Sequence, residues 1–203
     1  MSSVKDLGIT ISHDLSWTLH VVVVFNKASK VLGLIKRTIG SVNKDIFSTL
    51  YKALVRPILE YASPVWCRYL VKNIVLLEKV QRRASRLALG QQGGEMSYED
   101  RCEMSRWSQL TDRRQYFSLI ECYKLVFALN SLCFCDFFEL ASKRTRSNHN
   151  YKLQVKSTNC NCYKYSEIFV KNIREWNGLP ANVVEIGNLT RFKITLKSYM
   201  RTS

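Results

Sequence analysis

The chain has 203 residues, of which 46% are hydrophobic, so it is long enough and apolar enough to bury one core or two small ones. Lysine and arginine together number 31 against 16 acidic residues, a formal net charge of +15. That excess excludes an acidic or neutral surface and favours a polyanionic partner, nucleic acid first and an anionic membrane a distant second.

Neither a membrane span nor a secretory signal is evident in the sequence. The longest apolar run, Val21 to Phe25, is far shorter than the roughly 20 residues that cross a bilayer. The first residues lack the basic-then-apolar order of a signal peptide. We therefore expect an intracellular protein, nuclear or cytoplasmic, with no membrane partner and with most of its seven cysteines reduced.

The N-terminal segment predicts one half-buried strand. Residues 4–12 alternate Leu7, Ile9 and Ile11 with small or polar residues, which is the period of a strand, but no partner strand is evident. From about Ser16 the period changes to 3.6 and predicts a long helix that stops at Gly40.

A second helix is expected to begin near Asn43 and to kink or end at Pro57, which cannot donate to the helical ladder. The residues that we expect it to bury are Ile46, Leu50, Leu54 and Ile58. A bend at Ser63-Pro64, packed by aromatic residues, then leads into a third helix that begins near Asn73.

The third helix carries its positive charge on one side. The cations Lys79, Arg82, Arg83 and Arg86 fall at i, i+3, i+4 and i+7. That spacing places them within an arc of about 100°. The opposite side is apolar and comprises Ile74, Leu77, Val80, Ala84, Leu87 and Ala88. One side is thus predicted to pack while the other meets a phosphate backbone, although a solvated basic face on an ordinary amphipathic helix fits this helix equally well.

Gly90, Gly93 and Gly94 mark a hinge, where we place a subdomain boundary. Beyond it we expect a short helix over 98–104, a longer one over 110–129, a basic loop or arm over 142–150, and a final unit that ends in a helix over 189–200. The aromatic residues are expected in the core rather than stacked on bases: Tyr61, Trp66, Trp107 and Trp176.

The residue patterns of the common catalytic sites are missing. The sequence has no phosphate-binding glycine loop, no legible nucleophile triad and no adjacent pair of aspartates for two-metal chemistry. We interpret the three histidines, His13, His20 and His149, as satisfied or solvated. A zinc site built from His149 and the pairs Cys133/Cys135 and Cys160/Cys162 is disfavoured, because one-residue gaps are tighter than zinc ligands usually show.

Several stretches carry a family resemblance. They are LGITIS with DLSW, YKALVRPILEYASPVW with LEKVQRRASRLALG, WSQLTDRRQYFSLIECYKL, and RTRSNHNYKL followed by KNIREWNGLP and LTRFKITLKSYM. In order and spacing, across nearly the whole chain, these stretches resemble the C-terminal part of a non-LTR (LINE-type) retrotransposon reverse transcriptase, which is an RNA-directed DNA polymerase.

The resemblance implies a helical thumb that grips a template-primer duplex. Leu7 and Gly8 would be the remnant of the primer-grip strand, and the thumb would run from about Ser16 to Leu89. In the family the catalytic aspartates and their Mg²⁺ belong to a palm that lies upstream of position 1. This chain would therefore hold no cofactor, would be inactive alone as a polymerase, and would need the missing polymerase domains or associate with itself.

The predicted fold is mainly α: a helical thumb-like bundle with a short N-terminal β-strand remnant and a small C-terminal helical or irregular unit. The predicted domains are residues 1–13, 14–90, 91–140 and 141–203. RNA or DNA is the expected partner, bound through phosphates. The candidate binding residues are Lys79, Arg82, Arg83, Arg86, Arg113, Arg114, Lys143, Arg144 and Arg146. The alternatives are the thumb subunit of a split polymerase and a basic helical protein-interaction module.

Overall fold

The computed structural model describes residues 3–14, 16–39, 43–66, 71–132, 134, 138–141, 149–155 and 172–202. These residues are mainly α-helical, with two short two-stranded sheets, which confirms the predicted fold class. The chain divides into two compact units, Met1–Arg114 and Gln115–Ser203. The predicted basic helix belongs to the first unit.

The N-terminal segment is a β-hairpin, and the prediction of a single strand was wrong. Strands β1 (Ser3–Asp6) and β2 (Ile9–Ser12) pair antiparallel. Leu7 and Gly8 form the turn between them, with φ of 44° and 82°. Both angles are positive, as a two-residue type I′ turn requires, and leucine is an unusual residue in such a turn. Gly8 is a typical residue for its turn position, but the leucine before it is not, and the alternation of apolar residues continued unbroken through the turn.

The first long helix, α1 (Thr18–Ile39), ends just before Gly40 as predicted. Its buried apolar stripe comprises Val21, Val24, Ala28, Leu32 and Ile35. This stripe packs against the basic helix, α5 (Val71–Leu89). By length and composition α1 is also apolar enough to cross a membrane, which the short apolar run in the sequence did not indicate. That property is weak evidence of a span, since core helices of soluble proteins share it.

The second helix has three consecutive parts: α2 (Lys44–Leu50), a π-helical turn (Tyr51–Val55) and α3 (Arg56–Glu60). Asn43 caps its start, as its side chain accepts a hydrogen bond from the Asp45 N–H at 2.9 Å. The helix buries Phe47, Tyr51, Val55 and Leu59. Each of these follows by one position the predicted Ile46, Leu50, Leu54 and Ile58. The predicted buried face was therefore wrong by about 100° of rotation.

Tyr51 explains which face of this helix is buried. Its ring stacks on Trp107 with centroids 4.3 Å apart, and its hydroxyl donates to Gln81 Oε1 at 2.8 Å. Tyr51 fills the core with its ring and also finds a hydrogen-bond partner there for its hydroxyl, so burial of the helix face that carries Tyr51 is favoured. Ile46 and Leu54 remain 50% and 49% exposed as a result.

The π-helical turn lies directly before Pro57, where the sequence predicted a kink. The Arg56 N–H bonds the carbonyl of Tyr51, five residues back, rather than the carbonyl four residues back. Proline opposes regular α-helical geometry at the preceding turn, and wider turns of this kind are a known response to a local interruption. The helix therefore changes its winding at this point and ends at Glu60. A short helix, α4 (Ser63–Trp66), follows it.

The predicted boundary at the glycines does not separate the two units. Two short helices, α6 (Gln92–Glu95) and α7 (Tyr98–Ser105), both pack against α5, and the first unit extends to residue 114. Gly93 lies so close to α5 that an added Cβ would be 3.0 Å from the Arg86 carbonyl oxygen. These glycines permit a tight return of the chain onto α5, and they do not form a linker.

The helix α8 (Leu110–Val126) contains the division between the units. The remaining elements are strands β3 (Phe138–Leu140) and β4 (Leu153–Val155), which pair antiparallel, and the helices α9 (172–177), α10 (Ala181–Val184) and α11 (Leu189–Thr202).

The second unit packs around Trp176 and Phe192, both 0% exposed, and Tyr123 stacks on Phe192 at 4.1 Å. The Asn177 amide bonds both the N–H and the carbonyl of Leu153 at 2.9 Å, and so pairs with the backbone of β4.

His20 fastens the hairpin to α1. It is buried, its Nδ1 accepts a hydrogen bond from the Thr10 N–H at 3.1 Å, and its ring meets the Trp66 ring edge to face at 4.9 Å. A second bond, from the Tyr61 hydroxyl to the Leu7 carbonyl at 2.9 Å, holds the turn of the hairpin. Burial lowers the pKa of His20, because the charged ring would lose its solvent.

We expect the free energy of unfolding to fall as the pH drops below 6.5, the ordinary pKa of histidine. In that range the unfolded chain protonates His20 before the folded chain does, so acid favours unfolding. Urea unfolding over a series of pH values would measure this dependence. His20→Gln, which keeps an acceptor and does not titrate there, should reduce it to the part that the buried His149 contributes, whereas His13→Gln, at an exposed position, should not reduce it. Equal pH profiles for the two variants would contradict the role of His20.

Candidate nucleic-acid interface

The predicted cations of α5 lie on the side of the helix that faces solvent. Lys79, Arg82, Arg83 and Arg86 are all exposed. The opposite side is buried through Leu77, Val80, Ala84 and Ala88. The helix therefore has the arrangement that the spacing predicts, with a charged side opposite a packed one.

Lys72 extends this charged side, although the sequence interpretation left it out. It is exposed and lies seven residues before Lys79, which places the two within about 20° of each other around the helix. The repeat of seven was the available signal, and it was missed because the helix was predicted to begin at Asn73. The five cations Lys72, Lys79, Arg82, Arg83 and Arg86 are called the basic face. It is about 21 Å long at 1.5 Å per residue, the axial length of about six phosphates on one strand of a duplex.

Among the described residues, no acidic side chain forms an ion pair with the basic face. Glu78 is the single acidic residue of α5, and it is 6% exposed and points inward. In the described part of the chain, no carboxylate lies within salt-bridge distance of the five cations. Exposed cations without carboxylate partners keep their full field and attract phosphate.

Glu78 ties one flank of α5 to the neighbouring helices. Its carboxylate accepts hydrogen bonds from the Tyr98 hydroxyl at 2.7 Å, the Thr111 N–H at 3.0 Å and the Thr111 hydroxyl at 3.1 Å. A buried carboxylate is tolerated when donors of this kind satisfy it. The bonds join α5 to α7 and to the first turn of α8.

Gln81 makes a second set of connections from within the apolar stripe of α5. It is 0% exposed, and its Oε1 accepts from the Tyr51 hydroxyl at 2.8 Å. Its Nε2 donates to the Tyr98 hydroxyl and to the Ser108 carbonyl, both at 3.0 Å. The connected side chains Tyr51, Glu78, Gln81, Tyr98 and Thr111 are called the polar network. Nothing in the sequence analysis indicated it, because Glu78 and Gln81 were not assigned to the packed side.

The tyrosines of the polar network remain protonated. Burial raises the pKa of both Tyr51 and Tyr98, and the nearby Glu78 carboxylate raises each further. Their hydroxyls therefore act as hydrogen-bond donors at any pH at which the fold persists, so the network supports the helix and has no acid-base role.

Arg101 closes the turn that follows α5. It is 3% exposed, and its Nε donates to the Ser85 hydroxyl at 3.1 Å. Its guanidinium also donates to the carbonyls of Gly93, at 3.3 Å, and of Met96. Charge-assisted bonds such as these are stronger than bonds between neutral groups. Together with the polar network they make α5 a rigid support for the basic face.

The structure corrects the assignment of Arg113 and Arg114 to a phosphate-binding surface. Arg113 makes a bidentate ion pair with Glu60, with Nη2 and Oε2 2.8 Å apart. Arg114 is 2% exposed and cannot reach an external phosphate. The prediction that both arginines contact phosphate rested on their charge alone. The acidic partner of Arg113, Glu60, lies 53 positions earlier in the chain.

The remaining predicted site residues are the three cations of the basic arm and the two residues of the primer-grip remnant. Lys143, Arg144 and Arg146 lie outside the described residues. Leu7 and Gly8, predicted as the remnant of a primer-grip strand, form the hairpin turn, and Leu7 is 81% exposed there. Their placement in a strand was therefore wrong.

Three of the four aromatic residues considered for base stacking are core residues, as predicted. Trp66, Trp107 and Trp176 are 1%, 4% and 0% exposed. Tyr61 is 56% exposed, and its hydroxyl is engaged by the Leu7 carbonyl.

His149 is held by backbone groups on both sides of its ring. Nε2 donates to the Trp176 carbonyl, and Nδ1 accepts from the Tyr151 N–H, both at 3.2 Å. Burial lowers its pKa, so the neutral ring is favoured. This arrangement leaves neither nitrogen for a metal ion, and the cysteines of the disfavoured zinc site lie outside the described residues.

No family model, curated protein or solved structure matches this chain. We therefore infer a function from the exposure of the basic face and from the contacts that hold α5 in place.

Gln81→Leu should lower the free energy of unfolding by about 2–4 kcal/mol, because it leaves the buried Tyr51 hydroxyl without its acceptor and the Ser108 carbonyl without its donor. Arg83→Gln is the matched control on the same helix, and at an exposed position it should change stability by less than about 0.5 kcal/mol. Urea unfolding of both variants measures the difference. Similar values for the two would show that the network adds little to stability.

Proposed function

We propose that this chain binds the phosphate backbone of a nucleic-acid duplex through the basic face of α5, as the thumb-like part of a non-LTR retrotransposon reverse transcriptase. The basic face carries the binding proposal, since it presents five exposed cations on a rigidly held helix and, among the described residues, no carboxylate lies within salt-bridge distance of them. The assignment to a reverse transcriptase rests on the resemblance of the sequence stretches.

Binding by such a face is independent of base sequence. Lysine and arginine side chains that reach phosphates fix the position of a protein on a duplex, but they carry no information about base edges. The length of the face suits about six phosphates along one strand. We therefore expect similar affinity for duplexes of different sequence, with an attraction that depends steeply on salt.

The proposed role is to hold a duplex without extending it. Two-metal nucleotidyl transfer requires carboxylates that hold two cations about 3.5–4 Å apart. The sequence has no adjacent aspartate pair, and the neighbouring acids Glu99 and Asp100 lie in the first turn of α7. Asp100 is engaged there by the capping Ser97, whose hydroxyl donates to its carboxylate at 2.7 Å. In the proposal the Mg²⁺ of the family enzyme belongs to a palm outside this chain.

A protein partner is the second candidate, and the exposed apolar residues of α1 favour it. Leu19, Val22 and Val23 are 44%, 38% and 46% exposed on neighbouring positions of one helix. A thumb subunit of a split polymerase would cover such residues with a fingers-and-palm chain. Primer extension that appears only when the two chains are mixed would favour the split-polymerase alternative over a chain that only holds the duplex.

The binding proposal predicts a steep dependence of affinity on salt. Fluorescence anisotropy with a labelled 20-base-pair DNA duplex, titrated between about 50 and 200 mM KCl, gives the slope of log affinity against log salt. Because each phosphate contact contributes about 0.9 to that slope, replacing Lys79, Arg83 and Arg86 by Gln should reduce it by up to about 2.7. An RNA–DNA hybrid of the same sequence serves as the second probe.

The matched control removes the same charge from another exposed surface of the first unit. Lys27→Gln, Lys30→Gln and Arg37→Gln together lower the net charge by 3, all on α1. This variant should retain the wild-type slope. A flat slope in the wild-type protein would overturn nucleic-acid binding and favour the protein-interaction alternative, and equal losses in both triple variants would show that the basic face is not the contact surface.

A further inference from the structure

Arg82 differs from the other cations of the basic face because an aromatic ring holds it. Its guanidinium carbon lies over the Tyr98 ring, 4.8 Å from the ring centroid. This distance is within the range in which an arginine is attracted to the negative face of an aromatic ring. Among the described residues, no other cation of the basic face has such a ring contact. Arg82 is therefore both exposed and restrained.

We propose that Tyr98 is a positioning residue that presents the Arg82 guanidinium as a planar, two-point donor to one phosphate of the bound duplex. The proposal rests on the function proposed above. Arg82 stays exposed although the ring contacts it, so N–H groups of its guanidinium can reach a phosphate. A guanidinium edge matches phosphate oxygens with two parallel hydrogen bonds, which an ammonium group cannot do.

The polar network holds the Tyr98 ring, which in the proposal positions the Arg82 guanidinium. Tyr98 is 7% exposed, and its hydroxyl donates to Glu78 at 2.7 Å and accepts from Gln81 at 3.0 Å. Both partners are on α5, as is Arg82, so the ring on α7 is anchored to the helix that carries the cation. A phenol that donates to a carboxylate is polarised toward greater electron density, which strengthens its attraction for a cation.

Tyr98 has a second guanidinium nearby, which contributes to its fixed position. Arg101 lies 6.0 Å from the same ring centroid and is buried by its bonds to Ser85, Gly93 and Met96. Arg101 is buried and cannot contact an external phosphate. Of the two arginines near the Tyr98 ring, Arg82 is therefore the one that can bind a ligand. In this scheme Lys79, Arg83 and Arg86 attract phosphates from flexible side chains that no ring holds among the described residues.

The first test compares two substitutions that conserve charge on the same helix. Arg82→Lys should weaken binding of the DNA duplex, at fixed salt, by about 2- to 5-fold, because an ammonium group cannot make the two-point contact that the restrained guanidinium makes with a phosphate. Arg83→Lys should weaken binding less, because among the described residues no ring contact restrains the Arg83 guanidinium in one orientation. Neither side chain is in the core, so both variants should fold. Equal affinities for the two variants would overturn the proposal.

The second test measures coupling between Tyr98 and Arg82. Tyr98→Leu should weaken binding by about 2- to 5-fold in the wild-type background and have no effect in an Arg82→Gln background. Tyr98→Phe keeps the ring, so it should retain most of the wild-type affinity for the duplex. It also removes the hydrogen bond to Glu78 and should therefore lower the free energy of unfolding. Equal losses from Tyr98→Leu in both backgrounds would show that Tyr98 acts only through the fold. Failure of the proposed function itself would be seen separately, as a flat salt slope in the unaltered protein.

Discussion

The first unit depends on the burial of two polar side chains, Glu78 and Gln81, on the packed side of α5. Removing a carboxylate from water is costly unless donors replace the lost solvation. Here the donors come from α7 and α8, so the burial of Glu78 depends on those two elements. Because Gln81 also bonds the hydroxyl of Tyr51, the π-helical turn is tied to the same point. One connected set of bonds thus fixes the orientation of the helix that carries the basic face.

Much of the helical architecture was predictable because α1 and α5 each bury a single, unambiguous stripe. The helix after Asn43 was not, because its sequence offers two apolar series at i+4 spacing, offset by one residue. The aliphatic series that begins at Ile46 was the more hydrophobic choice, yet the structure buries the series that begins at Phe47. The deciding contacts, Tyr51 with Trp107 and Gln81, join residues far apart in sequence. Local periodicity holds no information about such contacts, so only the existence of the helix could be predicted.

The candidate site shows the same limit. The exposed cations of α5 followed from their spacing, since a charged arc opposite an apolar arc leaves little choice of orientation. Charge alone was misleading for Arg113, whose partner Glu60 lies 53 positions earlier in the chain. The hairpin was missed for a different reason, since Leu7 occupies a turn position that normally takes asparagine or glycine. Sequence patterns therefore located the basic face but could not determine which arginines are committed to carboxylates.

The basic face contains only positive charges, and their mutual repulsion lowers the stability of α5. Like charges three or four residues apart on a helix destabilise it by about 0.2–0.5 kcal/mol per pair. The four cations from Lys79 to Arg86 form four such pairs, a cost of about 1–2 kcal/mol that alternating signs would avoid. The bonds from Glu78, Gln81 and Arg101 hold the helix in place against this repulsion. A bound phosphate backbone would remove the repulsion, so ligand binding and the stability of α5 are thermodynamically linked in the proposed function.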